Sequence, residues 1–123
     1  GALVPAADAP GTYRARLGIK SEGRTTLIDV AAIDWIEAVG DLSRVYAGRT
    51  RALVRTTLNQ LADSLDPKRF FRIHRSAIVN LDRVRHLEHW SHGDYLVALA
   101  DGTELRLSRS RRRALEEVLG SAL

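Results

Sequence analysis

Cysteine and methionine are both absent from this 123-residue chain, and Lys20 and Lys68 are its only lysines among 19 cationic residues. Without cysteine there is no disulfide framework, thiol nucleophile or thiolate metal site, which fits a reducing, cytoplasmic setting. No apolar run approaches the roughly 20 residues that a membrane-spanning helix needs. The nine glycines stand singly, so no glycine-rich phosphate loop is present. A Gly-x-Ser-x-Gly nucleophile elbow is missing too, and Ser76 near His74 is adjacency in sequence only. Glu37 with Asp41, and Glu116 with Glu117, read as exposed acidic residues. The sequence thus shows no catalytic constellation and implies no cofactor.

What the chain has instead is arginine. The formal net charge is +4, and the sequence pI of about 10.1 weakly favours polyanionic partners. Arginine offers a planar fork of donors that fits phosphates and guanine edges. A GC-rich genome favouring arginine codons accounts equally for the same bias. The hydrophobic fraction of 45% and the length suit one soluble domain. Residues 1–12, rich in alanine and proline, read as a cloning scar and interdomain linker, leaving a domain over 13–123.

Tyr13 to Lys20 alternates apolar and polar residues, the period of a half-buried strand, and TTLIDV returns as a second strand after the turn SEGR. AAIDWIEAV reads as a third, with Ile33, Trp35 and Glu37 or Val39 on one face. RVYAG and RALVRT form a hairpin around Gly48-Arg49. TTLNQLADSLDP has helical spacing at Leu58, Leu61, Ala62 and Leu65, a capping box of Thr57 with Gln60, and Pro67 as its stop. FFRIHRSAIVNL splits into two strand pieces, FFRI and AIVNL, with HRS held outward at a corner. RVRHLEHW, YLVALA and TELRLS follow as strands, and Asp101-Gly102 marks a tight hairpin between the last two. A closing helix over RSRRRALEEVLG is predicted to start at Ser108 or Ser110 and turn Ala114, Leu115, Val118 and Leu119 inward. The fold class is mainly β with short helices.

His86, His89 and His92 would line one helix face and suggest a metal. On a strand His86 and His89 point to opposite faces, and surface histidines are the better account. The basic residues cluster more tellingly. One group is Arg69, Arg72, His74 and Arg75. A second is Arg106, Arg109, Arg111, Arg112 and Arg113, at the start of the closing helix, where cations oppose the helix dipole and an anion would relieve them. Arg44, Arg49 and Arg51 form a third.

With IDWIEAVGD, LVRTTLNQLADSL, FFRIHRSAIVNLDRV and GDYLVALADGTELRLSRSRRRAL in order, the chain resembles the LytTR DNA-binding domain, the output module of LytR/AgrA-type bacterial response regulators. The resemblance implies an elongated fold of about ten strands in small sheets. It also implies duplex DNA binding without a recognition helix, loop side chains reading successive major grooves. Carried across residue by residue, Arg75 and Arg109 are the base-contacting positions, with a third near Ser43 and Arg44 in the loop before the middle hairpin. Arg72, His74, Ser108 and Arg111 to Arg113 are assigned to phosphates. Asn80 supports its own turn, and Phe70, Ile73, Ile78, Val79, Leu81, Trp35, Val97, Leu99 and Leu107 form the core. The implied partners are double-stranded DNA, a second copy on direct repeats, and an upstream receiver or membrane sensor domain. A protein-interaction or dimerisation module, docking through strand edges, is the alternative. An RNA binder is the third reading, weakened by only seven aromatic residues and no stacking platform.

Overall fold

A computed structural model describes residues 13–123. The expected scar and linker, residues 1–12, lie outside the described residues. Ten strands form three antiparallel sheets, joined by two short α-helices and three 3-10 turns.

Strands β1 (Arg16–Ser21) and β2 (Arg24–Asp29) make a separate hairpin. Its two-residue turn, Glu22-Gly23, has positive φ at both positions (50° and 76°), the geometry that matches the natural twist of paired strands. A five-stranded sheet follows in the order β5 (Thr50–Val54), β4 (Leu42–Ala47), β3 (Trp35–Val39), β7 (Ala77–Asn80), β6 (Phe70–His74). The third sheet is β10 (Glu104–Leu107), β9 (Tyr95–Leu99), β8 (Val84–His89). Helix α1 (Leu58–Ser64) carries the capping box, with Thr57 and Gln60 bonded reciprocally, and ends before Pro67. Helix α2 (Arg112–Leu119) stops at Gly120, whose φ of 73° suits glycine.

One face of the central sheet is covered along its length and the other over β6, β7 and Trp35 of β3, so the molecule has two cores. On one side Ile36, Val45, Val54 and Ile78 pack against Leu17, Ile19 and Ile28 of the hairpin and Leu58 and Leu61 of α1. On the other, Ile73, Ala77 and Val79 pack against Tyr95, Val97, Leu99, Leu107 and Leu115. Strand β7 therefore buries all four of its residues, which is why AIVN is apolar without alternation.

Two expectations change here. Residues Val30–Ala32 form a 3-10 turn rather than strand, so Ile33 precedes β3 and enters the first core while Trp35 faces the second. Period-two alternation assigns residues to a face only within the strand itself. In α2 only Leu115 is buried; Ala114 is exposed, and Val118 and Leu119 remain 41% and 42% exposed, so the helix rests on the second core through one residue. A 3-10 turn, not α-helix, occupies Arg109–Arg111.

Asn80 supports more than its own turn. It is fully buried; its Oδ1 accepts from the Asp82 amide at 3.0 Å, and its Nδ2 donates to the Ile33 carbonyl at 2.8 Å. That second bond ties two segments 47 residues apart.

Candidate nucleic-acid interface

The HRS corner forms because β6 and β7 are a hairpin with a bulge between Arg72 and His74. Strand pairing ends at His74 and Ala77, leaving Arg75 exposed at the turn. The turn is held from below by Arg72. Its Nε donates to the His74 carbonyl at 3.2 Å, Nη1 to Asn59 Oδ1 of α1 at 2.8 Å, and Nη2 to the Arg75 carbonyl. The guanidinium fork thus stitches α1 to the corner in three directions. The Ser76 amide donates to His74 Nδ1 at 3.1 Å, so the neutral ring accepts there.

Arg109 lies at the exit of β10, the first residue of a 3-10 turn. Its amide donates to Asp94 Oδ1 at 3.2 Å, and its side chain runs across Gly93, where an added Cβ would stand 2.8 Å from Arg109 Cδ. The preceding residue, Ser108, joins this exit to the HRS corner. Its amide and its hydroxyl both donate to the Ile73 carbonyl, at 3.0 and 3.3 Å. Arg75 and Arg109 therefore project from two turns bound to one short piece of β6.

Beside the HRS corner a shallow depression is lined by His74, Arg75, Ser76, Arg106, Ser108, Ser110 and Arg111, while Arg109 lines a separate one with Arg112, Arg113 and Glu116. Burial lowers the His74 pKa, and the surrounding Arg106, Arg111, Arg72 and Arg75 lower it further. Arg72 is also shifted down, first by burial and then by Arg111. Such crowding of like charge marks a place where an anion is favoured. Arg106, which belonged to the second basic cluster but had no assigned role, is brought here by the alternation of ELRL: Leu107 is buried inward and Arg106 points out. Asn59 and Gly93, by contrast, had no signal in the sequence, because each acts through a partner distant along the chain.

The remaining assigned residues are placed unevenly. Arg113 is exposed. Arg112 bonds Glu116 at 3.3 Å and lies over the Tyr95 ring at 5.6 Å, so it is engaged with its own helix and the second core. Ser43 is a correction: it sits within β4 rather than in a loop, is fully buried, and donates its hydroxyl to the Thr56 carbonyl at 2.7 Å. A base edge has no access to it. Arg44 is also within β4, half-exposed on the opposite face, 3.4 Å from Glu37. The turn between β3 and β4 is Gly40-Asp41, with φ of 61° at Gly40.

The LytTr DNA-binding domain family model matches residues 23–120. Among curated proteins, the transcriptional regulatory protein YpdB of Escherichia coli K12 is 27% identical over 84% of this chain and 43% of its own length. The CO-responsive transcriptional regulator RcoM of Rhodospirillum rubrum is 34% identical over 72% of this chain and 38% of its own. The chain thus spans less than half the length of these regulators. A solved LytTr DNA-binding domain from Bacillus cereus superposes with a TM-score of 0.79 at 20% identity, covering 87% of this chain and 98% of that one. With ten strands in three small sheets and a family match across nearly all the described residues, the chain belongs to the LytTR family of DNA-binding domains, modules of transcriptional regulation and not enzymes.

Proposed function

We propose that this domain reads duplex DNA sequence-specifically, with Arg75 and Arg109 entering successive major grooves. The observation that carries the reading is the Ile73 carbonyl, which accepts both Ser108 donors one residue before the HRS corner. Two arginines on independently mobile loops would lose conformational entropy on binding; two on one braced unit are already positioned. Each fork matches guanine O6 and N7. His74, Ser108, Arg111, Arg112 and Arg113 line the approach and hold phosphates, Arg112 by exchanging Glu116 for DNA. Arg72 supports the corner from behind. Arg44 remains the candidate third reader once it releases Glu37.

A single small module supplies limited affinity at cellular salt, so two copies occupy direct repeats. An upstream receiver or membrane sensor controls this pairing in the cytoplasm; the relatives, more than twice as long as the segment matched, leave room for one. The test is competitive binding to duplexes across a salt series. Affinity should fall steeply with salt while a sequence-dependent component survives competitor DNA. Arg75→Ala and Arg109→Ala should each remove about 1–3 kcal/mol of discrimination without unfolding the domain. Absence of duplex binding at low salt sinks the reading; unchanged discrimination in both variants sinks the assignment of these two residues.

A further inference from the structure

The strand register places the HRS corner at one end of the central sheet. His74 pairs with Ala77, Ala77 with Glu37, Val39 with Leu42, and Ser43 with Val54. Hence the HRS corner, the Gly40-Asp41 turn and the exit of β5 at Arg55 lie along the same edge of the central sheet. The β1–β2 hairpin runs alongside with its tip toward that edge. Its base is fixed at the other end, where Val30 donates to the Ala15 carbonyl at 2.9 Å and Arg14 to the Ser64 carbonyl at the end of α1 at 3.1 Å. Near the tip, Gly18 to Ser21 share a groove with Arg51 to Thr56 and Leu42. A second depression joins Lys20, Glu22 and Arg24 to Arg55.

We propose that Lys20, Arg24 and Arg55 form a phosphate-binding limb that extends the interface past the Gly40-Asp41 turn, so that the domain grips the DNA backbone beyond its base-reading arginines. This rests on the duplex-binding reading above and deepens it. All three side chains belong to exposed residues, and among the described residues none pairs with a carboxylate. Arg44, Arg69, Arg83 and Arg112, elsewhere on the surface, each do. Three cations face one carboxylate, Glu22, in a concave site. Two mutually repelling cations stay together on a surface at little cost when water or an anion screens them, and DNA presents anions at regular spacing. The tip is a tight two-residue turn at Glu22-Gly23, too short to reach deep into a groove, which suits a positioning contact rather than a base-reading one.

The test uses the intact chain with Lys20→Gln, Arg24→Gln and Arg55→Gln combined. As a control, Arg16→Gln removes one charge from the far end of the same hairpin. Binding to a preferred and a scrambled duplex is measured across a salt series, with circular dichroism confirming the fold. Each lost phosphate contact flattens the log-affinity against log-salt slope by roughly 0.9. The triple variant should therefore lose roughly 2–3 from the slope and weaken on both duplexes alike, with discrimination preserved and the control unchanged. A triple variant with the wild-type slope on DNA that the wild type does bind overturns the limb alone. So does an equal loss in the control, which would make the effect one of net charge. Wild type that binds neither duplex overturns both the limb and the reading beneath it.

Discussion

The guanidinium of Arg72 donates to the main-chain carbonyl of Arg75, so one arginine holds the turn from which the other projects. The same side chain reaches the His74 carbonyl and Asn59, leaving it engaged with protein on three sides. Two arginines three residues apart have divided the work between support and display.

Replacing Arg72 with lysine separates charge from geometry. An ammonium keeps the positive potential but cannot span α1 and both carbonyls at once. Arg72→Lys should lower stability by about 1–2 kcal/mol, the worth of one or two lost charge-assisted bonds. It should also reduce discrimination between duplexes toward that of Arg75→Ala. Denaturant titration and competition binding read the two effects; a variant with wild-type discrimination would show that the brace does not position Arg75.

Gly93→Ala tests Arg109 without touching it. The glycine has φ of 84°, and a new Cβ would lie 2.8 Å from Arg109 Cδ. Strain at positive φ costs about 1 kcal/mol, and the flexible arginine is what must move. The expected result is a loss of discrimination like that of Arg109→Ala, accompanied by a small fall in melting temperature. Loss of stability with full discrimination would mean that the seat on Gly93 is irrelevant to readout.

Asn80→Ala removes both bonds of a fully buried amide and leaves the Ile33 carbonyl without its donor. Unsatisfied buried groups cost about 1–3 kcal/mol each, so a destabilisation of about 2–3 kcal/mol is expected. Equilibrium unfolding in urea measures it. A loss under about 0.5 kcal/mol, the range of ordinary surface substitutions, would show that the bridge to Ile33 carries no load.

His74 makes stability pH-dependent. Its pKa lies below the ordinary 6.5 through burial and the facing Arg106, Arg111, Arg72 and Arg75. The unfolded chain then takes up the proton more readily than the folded one, so the contribution is intact above pH 6.5 and is lost as pH falls through the lower folded value. Protonation at Nδ1 also removes the acceptor for the Ser76 amide. Unfolding midpoints from pH 7.5 to 5 should decline less in His74→Gln than in wild type. Parallel declines would assign the pH dependence to other groups.

Much of this was legible locally. The capping box of Thr57 and Gln60, the Asp101-Gly102 hairpin and the break of FFRIHRSAIVNL at HRS all depend on residues a few positions apart, where backbone preference and side-chain spacing decide. The arginine clusters were visible for the same reason. Their sorting was not. Ser43 and Arg44 are neighbours in one strand, yet one is fully buried on Thr56 and the other half-exposed beside Glu37.

Period-two alternation tells which residues share a face but not which face is covered: packing buries β7 on both faces and β4 on one. Composition and short-range pattern by themselves determined a basic, mainly β domain with an outward-held cation at residue 75. Tertiary structure alone decided that Arg72 braces Arg75, that Ser108 binds both corners to Ile73, and that the first hairpin points its tip toward the same end. The first two relations join residues 3 and 35 positions apart through directional hydrogen bonds, and the third rests on sheet register and the Arg14 bond to Ser64. Such bonds need both partners placed in space, and no single stretch of sequence specifies that.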